Sequence, residues 1–230
     1  MLKALFGDRF AYRGVKFGPA SGMKMWINRH QNWRPETGLF ELGVSSHLRH
    51  MASDSDCAYD IGSHRGYYAL ALARLGVGRI YAFEEDESLA EELSRAFVVN
   101  SIEQRVTVIS GSVAASMSDS GFSIDALIES DRIKAPDLIK MDIDGGEVEA
   151  LKGMRETLSR RRPNLIVETH SADLENSCLD LLEDVGYRKL LIVDNPLWLR
   201  RMLPETRASE HNRWIAAYRS EDITRSKSSS

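Results

Sequence analysis

The amino-acid sequence predicts an α/β fold in which a mostly parallel sheet is covered by helices on both faces. From about residue 56 to residue 193, short and nearly continuous apolar runs alternate with segments whose apolar residues recur at helical spacing. Strands that are apolar throughout, alternating with helices, are typical of parallel sheets buried on both faces. The chain also has 230 residues and a hydrophobic content of 43%, which is enough for one domain with a sizeable core.

Apolar runs define the predicted strands. They are Cys57–Ile61, Arg79–Phe83, Val106–Ile109, Leu138–Met141, Leu165–Val167 and Leu190–Val193. A further strand is predicted within residues 211–219, after a polar connection that contains proline and shows little helical periodicity. Because that connection does not resemble a crossover helix, an antiparallel return of this last strand is expected.

Helices are predicted where apolar side chains recur at three- and four-residue steps. The segment Tyr67–Leu75 is apolar almost throughout, as expected for a helix buried against a sheet. Gly186 supplies a C-terminal stop for the periodic segment that ends at Val185. The segments are marked by Leu89, Leu93 and Phe97, by Val148, Leu151, Met154 and Leu158, and by Leu174, Leu181, Leu182 and Val185.

The predicted organisation is a cap, one α/β domain and a tail. Residues 1–55 are interpreted as a helical and loop cap, residues 56–219 as the domain, and residues 220–230 as a disordered Ser/Lys-rich tail. A net charge of −4 gives no global basic field to recruit nucleic acid or an anionic membrane. No stretch approaches the ~20 apolar residues of a membrane span. With Cys57 and Cys178 as its two cysteines, the chain has no disulfide framework, so a cytoplasmic protein is expected.

The stretch AYDIGSHRG, residues 58–66, covers the end of the first predicted strand and the turn after it, and contains Asp60, Gly62 and Gly66. A dinucleotide fingerprint needs a third glycine, so that a pyrophosphate can approach the backbone at a helix N-terminus. The spacing here suits a ligand that carries an ammonium and a carboxylate, with Asp60 facing the ammonium. A simple turn between a strand and a helix is the alternative.

Glu84 directly follows the second predicted strand. An acid at this place is suited to accept hydrogen bonds from the two hydroxyls of a ribose. An amino-acid end combined with a ribose end describes S-adenosylmethionine, which we therefore predict as the cofactor. Ser112, which follows the third predicted strand, is a further candidate for cofactor binding.

Acidic residues also follow the fourth and fifth predicted strands. Asp142, Asp144 and Glu147 come after the fourth strand, where helix capping is the alternative role for Asp144 and Glu147. Glu168 and His170 come after the fifth. Because parallel strands end at one edge of a sheet, these side chains are expected between cofactor and substrate.

These motifs together resemble the FkbM family of S-adenosylmethionine-dependent methyltransferases, over about residues 38–193. The chain departs from the family pattern at His64, Glu85 and Asp144, where Asn, Pro and Glu are usual. The resemblance implies a Rossmann-like class I methyltransferase sheet of seven strands with an antiparallel last strand. It also implies O-methylation of hydroxyls on sugars, glycans or secondary metabolites. The matching stretches are Gly38–Glu41, Asp60–Gly66, Ala82–Glu84, Asn100, Leu138–Glu147, Leu151–Gly153 and Val167–His170.

Methyl transfer to a hydroxyl needs an in-line approach and a base for the hydroxyl proton. We expect His170 to be that base, because an unperturbed histidine is largely neutral at physiological pH. Asp142 is expected to orient the cofactor's ammonium or the acceptor, and Glu168 to orient His170. The acceptor pocket is expected from residues 1–55 and the connection 194–211, with Trp26, Trp33, Trp198 and Arg200 as candidates.

Three alternatives stay open at this point. The first is a nicotinamide-dependent dehydrogenase, whose ribose Glu84 would serve equally well. The second is a non-catalytic module that keeps the fold and only binds a partner. The third is a metal-assisted methyltransferase, in which Asp142, Asp144, Glu168 and His170 would hold Mg²⁺. We predict that no metal is bound, because the spacing of these residues is not diagnostic of one.

Overall fold

The computed structural model describes residues 9–29, 33–39, 41–118, 121–193 and 213–219. Its strands are β1 Ala11–Gly14, β2 Lys24–Ile27, β3 Cys57–Ile61, β4 Arg79–Glu84, β5 Val106–Ser110, β6 Ser112–Val113, β7 Gly121–Phe122, β8 Leu138–Met141, β9 Asn164–Thr169, β10 Lys189–Val193 and β11 Arg213–Tyr218. Its helices are α1 Arg34–Thr37, α2 Leu42–Ala52, α3 Tyr67–Arg74, α4 Glu87–Val99, α5 Ile124–Glu129, α6 Glu147–Lys152, α7 Arg155–Arg160 and α8 Ala172–Asp184.

Seven strands form the main sheet, in the order β10-β11-β9-β8-β3-β4-β5. Strand β11 runs antiparallel to both of its neighbours, whereas the other adjacent pairs are parallel. The predicted seven-stranded, mostly parallel sheet with an antiparallel last strand is therefore confirmed. The strand order reverses at β3, which has β4 on one side and β8 on the other. In open α/β sheets this reversal is where ligands bind.

The two faces of the sheet pack against different helices, because alternate residues of a strand point to opposite faces. On β3, Tyr59 and Ile61 belong to the hydrophobic core that also contains α8, whereas Ala58 belongs to the core that contains α2 and α3. Asp60 therefore points toward α3. Lys140 is its partner in the register between β3 and β8, and points to the same face.

The N-terminal segment differs from the expected helical and loop cap. Strands β1 and β2 form a two-stranded antiparallel sheet. Asn100, at the C-terminal end of α4, holds this sheet with two hydrogen bonds: its Oδ1 accepts from Lys24 N at 2.7 Å and its Nδ2 donates to Lys24 O at 2.8 Å. The strands have four residues each, which is too short for alternation to show in the sequence.

The periodic segment from Val148 to Leu158 forms two helices rather than one. The break follows Gly153, where a Cβ atom would lie 1.9 Å from the backbone oxygen of Ala114. The side chain of Asp125, on α5, caps the N-terminus of α7. Its carboxylate accepts hydrogen bonds from Glu156 N at 2.8 Å and Thr157 N at 2.9 Å. The helical spacing of apolar residues continues across the break, so the sequence pattern does not reveal that there are two helices.

Some predictions concern parts of the chain outside the described residues. They are the connection 194–211 and the tail 220–230. Among the helices that the structure describes, none combines the length and the apolar character needed to cross a bilayer.

Candidate active site

A cavity of about 320 Å³ opens at the carboxyl ends of β3, β4 and β8, where the strand order reverses. Its volume lies within the range of about 300–1,000 Å³ that is usual for small-molecule sites. Of the predicted site residues it brings together Gly62, Glu84, Ser112 and Asp142. The remaining lining residues are Ile61, His64, Phe83, Glu85, Gly111, Val113, Ile143, Asp144 and Gly146.

Gly62 makes the tight turn after β3 possible. Its φ is +76°, and a Cβ atom here would lie 1.8 Å from the backbone oxygen of Asp142. The turn is anchored on β4, since Gly62 N and Ser63 N donate to Phe83 O at 3.0 and 2.9 Å. Gly66 acts elsewhere: it begins α3, and a Cβ atom there would lie 2.6 Å from Leu93 Cδ2 on α4. It does not line the cavity.

Asp60 lies beneath the cavity rather than at its wall. Its side chain is fully buried, its Oδ2 accepts a hydrogen bond from Ala69 N at 2.9 Å, and its Oδ1 lies 3.5 Å from Lys140 Nζ. The expectation that Asp60 faces a ligand ammonium is not met in this arrangement. The reason is the pleat of β3, which turns this residue toward α3 and its first turn.

Glu84 stands at the cavity wall with its carboxylate held by backbone groups. Its Oε2 accepts from His64 N at 2.7 Å and its Oε1 accepts from Asp86 N at 3.0 Å. A carboxylate has about four acceptor sites, so one on each oxygen is left for a ligand hydroxyl. His64 has a φ of 47°, a backbone conformation that asparagine and histidine adopt more readily than most residues.

Asp142 and Glu168 form a pair of carboxyl groups with one neighbouring cation. Lys140 Nζ lies 3.6 Å from Asp142 Oδ2. Glu168 is buried, and its pKa is raised by burial, by the charges of Asp142 and Glu41, and by a hydrogen bond to Asp142. The raised pKa favours a protonated Glu168 that donates a hydrogen bond to Asp142. Only Asp142 of the two lines the cavity.

His170 is oriented by Glu147, not by Glu168 as the sequence analysis expected. Its Nδ1 lies 2.7 Å from Glu147 Oε1. Its Nε2 lies 3.6 Å from Asp142 Oδ1 and 3.2 Å from Asp144 Oδ1. The hydrogen bond to Glu147 is the largest cause that raises the pKa of His170, and burial opposes it. Glu147 is fully buried here, and the N-cap of α6 is Gly146, so capping is not its main role.

Two functional candidates were missed by the sequence analysis. Lys140 is only 2% exposed, and its Nζ lies 4.5 Å from the ring centroid of Tyr68. Glu41 accepts a hydrogen bond from the hydroxyl of Tyr68, which brings the N-terminal segment to the same cluster. The position of Lys140 inside an apolar strand could have indicated a buried ion pair, because a buried ammonium requires a paired carboxylate.

A resident divalent cation does not fit this cluster well. One ligand atom each from Asp142, Glu168 and His170 lies within 4.8 Å of the others, which a metal site would require. However, the ammonium of Lys140 already lies beside Asp142, and the raised pKa of Glu168 disfavours the free carboxylate that a metal would need. A divalent cation would therefore compete with the ammonium for Asp142 and with a proton for Glu168.

The predicted acceptor residues are only partly within the described chain. Trp26 lies on β2, with its ring centroid 4.8 Å from that of Tyr12, and Trp33 is 38% exposed. Neither lines the cavity. Trp198 and Arg200 lie outside the described residues.

Comparisons with known proteins point in the same direction as the motifs. Residues 120–189 match the family model described as the methyltransferase FkbM domain. The hexuronic acid methyltransferase AglP of Haloferax volcanii is 27% identical over 161 residues, which are 60% of this chain and 66% of that protein. The chain thus spans slightly less than two thirds of this relative.

Two similar solved structures are methyltransferases at low sequence identity. The FkbM methyltransferase of Methylobacillus flagellatus has a TM-score of 0.59 and 22% identity, over 72% of this chain and 44% of that one. An S-adenosylmethionine-dependent O-methyltransferase of Thermotoga maritima has a TM-score of 0.53 and 14% identity, over 78% of this chain and 65% of that one. The comparisons give no support to the dehydrogenase alternative. The fold is that of the class I methyltransferases, and the resemblance to the FkbM methyltransferase family predicted from the motifs is confirmed.

Proposed function

We propose that this protein is an S-adenosylmethionine-dependent O-methyltransferase acting on a hydroxyl of a sugar, a glycan or a secondary metabolite. One observation supports it most directly: Gly62, Glu84 and Asp142 lie at the carboxyl ends of three adjacent strands and line one cavity. This is where class I folds place a ligand with an amino-acid end and a ribose end.

The residues of the cavity fit the two ends of this cofactor. Glu84 would accept hydrogen bonds from the ribose hydroxyls through the acceptor sites that His64 N and Asp86 N leave open. Asp142 would face the ammonium, because Asp60 is occupied by Lys140 and Ala69 beneath the cavity. Gly62 would let the carboxylate end approach the backbone, and Ser112 lines the cavity beside β5.

The bound cofactor supplies an electrophilic methyl group, and the chain supplies the position and the base. His170 Nε2 would take the hydroxyl proton as the oxygen–methyl bond forms and the sulfur–methyl bond breaks, with S-adenosylhomocysteine as the leaving group. It lies 3.2 Å from Asp144 Oδ1, and Asp144 lines the cavity. A base is expected at hydrogen-bond distance, about 3 Å, from the acceptor oxygen. Glu147 holds the ring through Nδ1 and leaves Nε2 facing Asp142 and Asp144, which line the cavity, whereas His170 itself does not.

The acceptor is proposed from chemistry and from one relative. The curated relative is a hexuronic acid methyltransferase, which favours a sugar or glycan acceptor for this chain as well. No nucleic-acid partner is proposed, since the net charge of the chain is −4. The cytoplasmic location expected from the unpaired cysteines stays a prediction.

Calorimetric titration with S-adenosylmethionine, S-adenosylhomocysteine and NAD tests the proposal. We expect the two sulfur compounds to bind and NAD not to bind. Glu84→Gln should weaken S-adenosylhomocysteine by about tenfold or more, because hydrogen bonds to a charged acceptor contribute about 1.5–3 kcal/mol. Glu85→Gln is the matched control, since Glu85 is adjacent and lines the cavity without ending β4. Binding of NAD alone would favour the dehydrogenase.

Turnover separates an enzyme from a binding module. Glycans and small hydroxylated metabolites incubated with S-adenosylmethionine should include one that gains the mass of a methylene group. His170→Ala should abolish this gain while S-adenosylhomocysteine affinity is kept. Full turnover in His170→Ala would overturn the assignment of the base.

A further inference from the structure

Lys140 is a buried cation that the proposed mechanism does not yet use. Its side chain is 2% exposed and lies between two carboxylates, 3.5 Å from Asp60 Oδ1 and 3.6 Å from Asp142 Oδ2. The face of the Tyr68 ring covers a third side, with its centroid 4.5 Å from Nζ. Transfer of an ammonium into a protein interior is strongly unfavourable unless it is paired in this way.

The two carboxylates occupy different places relative to the cavity. Asp60 is fully buried beneath it and is fixed by Ala69 N at the start of α3. Asp142 lines the cavity, and its side chain is 25% exposed. If Lys140 served only to balance Asp60, no contact with Asp142 would be needed. The side chain instead extends from the fixed group to the one at the wall.

The oxygens of Asp142 have separate neighbours. Lys140 lies nearest Oδ2, and His170 Nε2 lies 3.6 Å from Oδ1. Glu168 makes a further hydrogen bond to this carboxylate. The position of the ammonium is itself fixed, because Tyr68 is held by a hydrogen bond from its hydroxyl to Glu41 on the N-terminal segment.

We propose that Lys140 is a positioning residue, whose ammonium is fixed by Asp60 and Tyr68 and in turn orients the Asp142 carboxylate toward the ammonium of the bound cofactor. This inference rests on the proposed function, since it concerns how the same cavity holds the amino-acid end of the ligand. It assigns the lysine an effect on cofactor affinity that acts through Asp142.

The test needs a background in which Lys140 can be removed safely. Lys140→Met alone would leave Asp60 as an uncompensated buried charge, which is strongly destabilising and endangers folding. In Asp60→Asn, the amide oxygen can still accept from Ala69 N. Lys140→Met is therefore always combined with Asp60→Asn, and the affinity for S-adenosylhomocysteine is measured by calorimetry in four proteins: the natural chain, Asp142→Asn, Asp60→Asn with Lys140→Met, and all three changes together.

We expect the combined Asp60→Asn and Lys140→Met change to weaken binding by about tenfold when Asp142 is present, and by less than about twofold in the Asp142→Asn background. A merely structural lysine would instead have the same effect in both backgrounds, or none, and either result overturns the inference. Lys140→Arg in the natural chain is a second variant that keeps the charge, and it should bind within about threefold of the natural protein. A loss in Lys140→Arg as large as in the Met variant would also overturn it. Failure of the natural protein to bind at all would overturn the proposed function together with this inference.

Discussion

His170 Nδ1 lies 2.7 Å from Glu147 Oε1, and the two residues come from the ends of different elements, β9 and α6. The contact orients the imidazole ring and raises the pKa of His170. The carboxylates of Asp142 and Asp144 also face Nε2, and they raise the pKa of His170 further. A base with a raised pKa accepts a proton more strongly but is available only at higher pH.

The rate of methyl transfer should therefore rise with pH through the raised pKa of His170. Protonated His170 cannot accept the hydroxyl proton, so kcat/KM for the acceptor should reach half its maximum above the ordinary histidine value of about 6.5. Glu147→Gln removes the largest cause of the shift and should move this midpoint to lower pH. A midpoint at or below the ordinary value, or one that Glu147→Gln leaves unchanged, would contradict the assignment.

The two buried glutamates of this region should respond differently to replacement by glutamine. Glu168→Gln should change the free energy of unfolding at neutral pH by less than about 1 kcal/mol, because the raised pKa of Glu168 means that a neutral group is replaced by another. Glu147→Gln should cost about 1.5–3 kcal/mol at about pH 6, where it removes the charged partner of His170. Urea unfolding measures both variants.

The sign of the pH dependence provides a control for this comparison. A histidine whose folded pKa is raised contributes stability that is fully present below its unfolded pKa of about 6.5 and is lost as pH rises through the folded value. The cost of Glu147→Gln should therefore be smaller at about pH 9 than at about pH 6. An equal cost at both pH values would show that the ion pair does not stabilise the fold.

Gly62→Ala should destabilise the protein and close the cavity. The new Cβ would lie 1.8 Å from the backbone oxygen of Asp142, in addition to the strain of a φ of +76°. Gly76→Ala is the matched control, because its φ is +99° but no atom lies within 4 Å of the new Cβ. The control should lose about 1 kcal/mol from strain alone, and Gly62→Ala clearly more. Equal melting temperatures would refute the close approach of β3 and β8.

Chelation should leave methyl transfer unchanged. Lys140 already lies beside Asp142, and the raised pKa of Glu168 disfavours a second carboxylate ligand, so we expect no resident cation in the cluster. The measurement is the rate of methyl transfer before and after dialysis against EDTA. Loss of activity that Mg²⁺ restores would favour the metal-assisted alternative instead.

The sequence predicted the sheet well because its strands are buried on both faces. The bounds of Cys57–Ile61 and Leu138–Met141 match the prediction, and the other predicted strands within the described chain are extended by only a few residues. A continuous apolar run is a local feature of the sequence, so a buried strand can be predicted from it without knowing which strands lie beside it. The β1–β2 sheet has no such signal, because it is held by contacts such as that of Asn100 with Lys24.

The site was less predictable, because its contacts join residues far apart in the sequence. The acids at the strand ends could be found from position alone, and Glu84 and Asp142 do line the cavity. Which acid faces inward depends on pleat and register, and these turn Asp60 toward Lys140 instead. The partner of His170 was also not predictable from sequence position. Glu147 replaces the expected Glu168 in this role, because α6 begins close to the end of β9.

A crystal structure of the protein with S-adenosylhomocysteine tests the central claim most directly. We expect the ligand in the cavity beside β3, β4 and β8, with both ribose hydroxyls about 3 Å from the Glu84 carboxylate and the ammonium facing Asp142. A ligand bound elsewhere, or in the cavity with Glu84 turned away from the ribose, would contradict it.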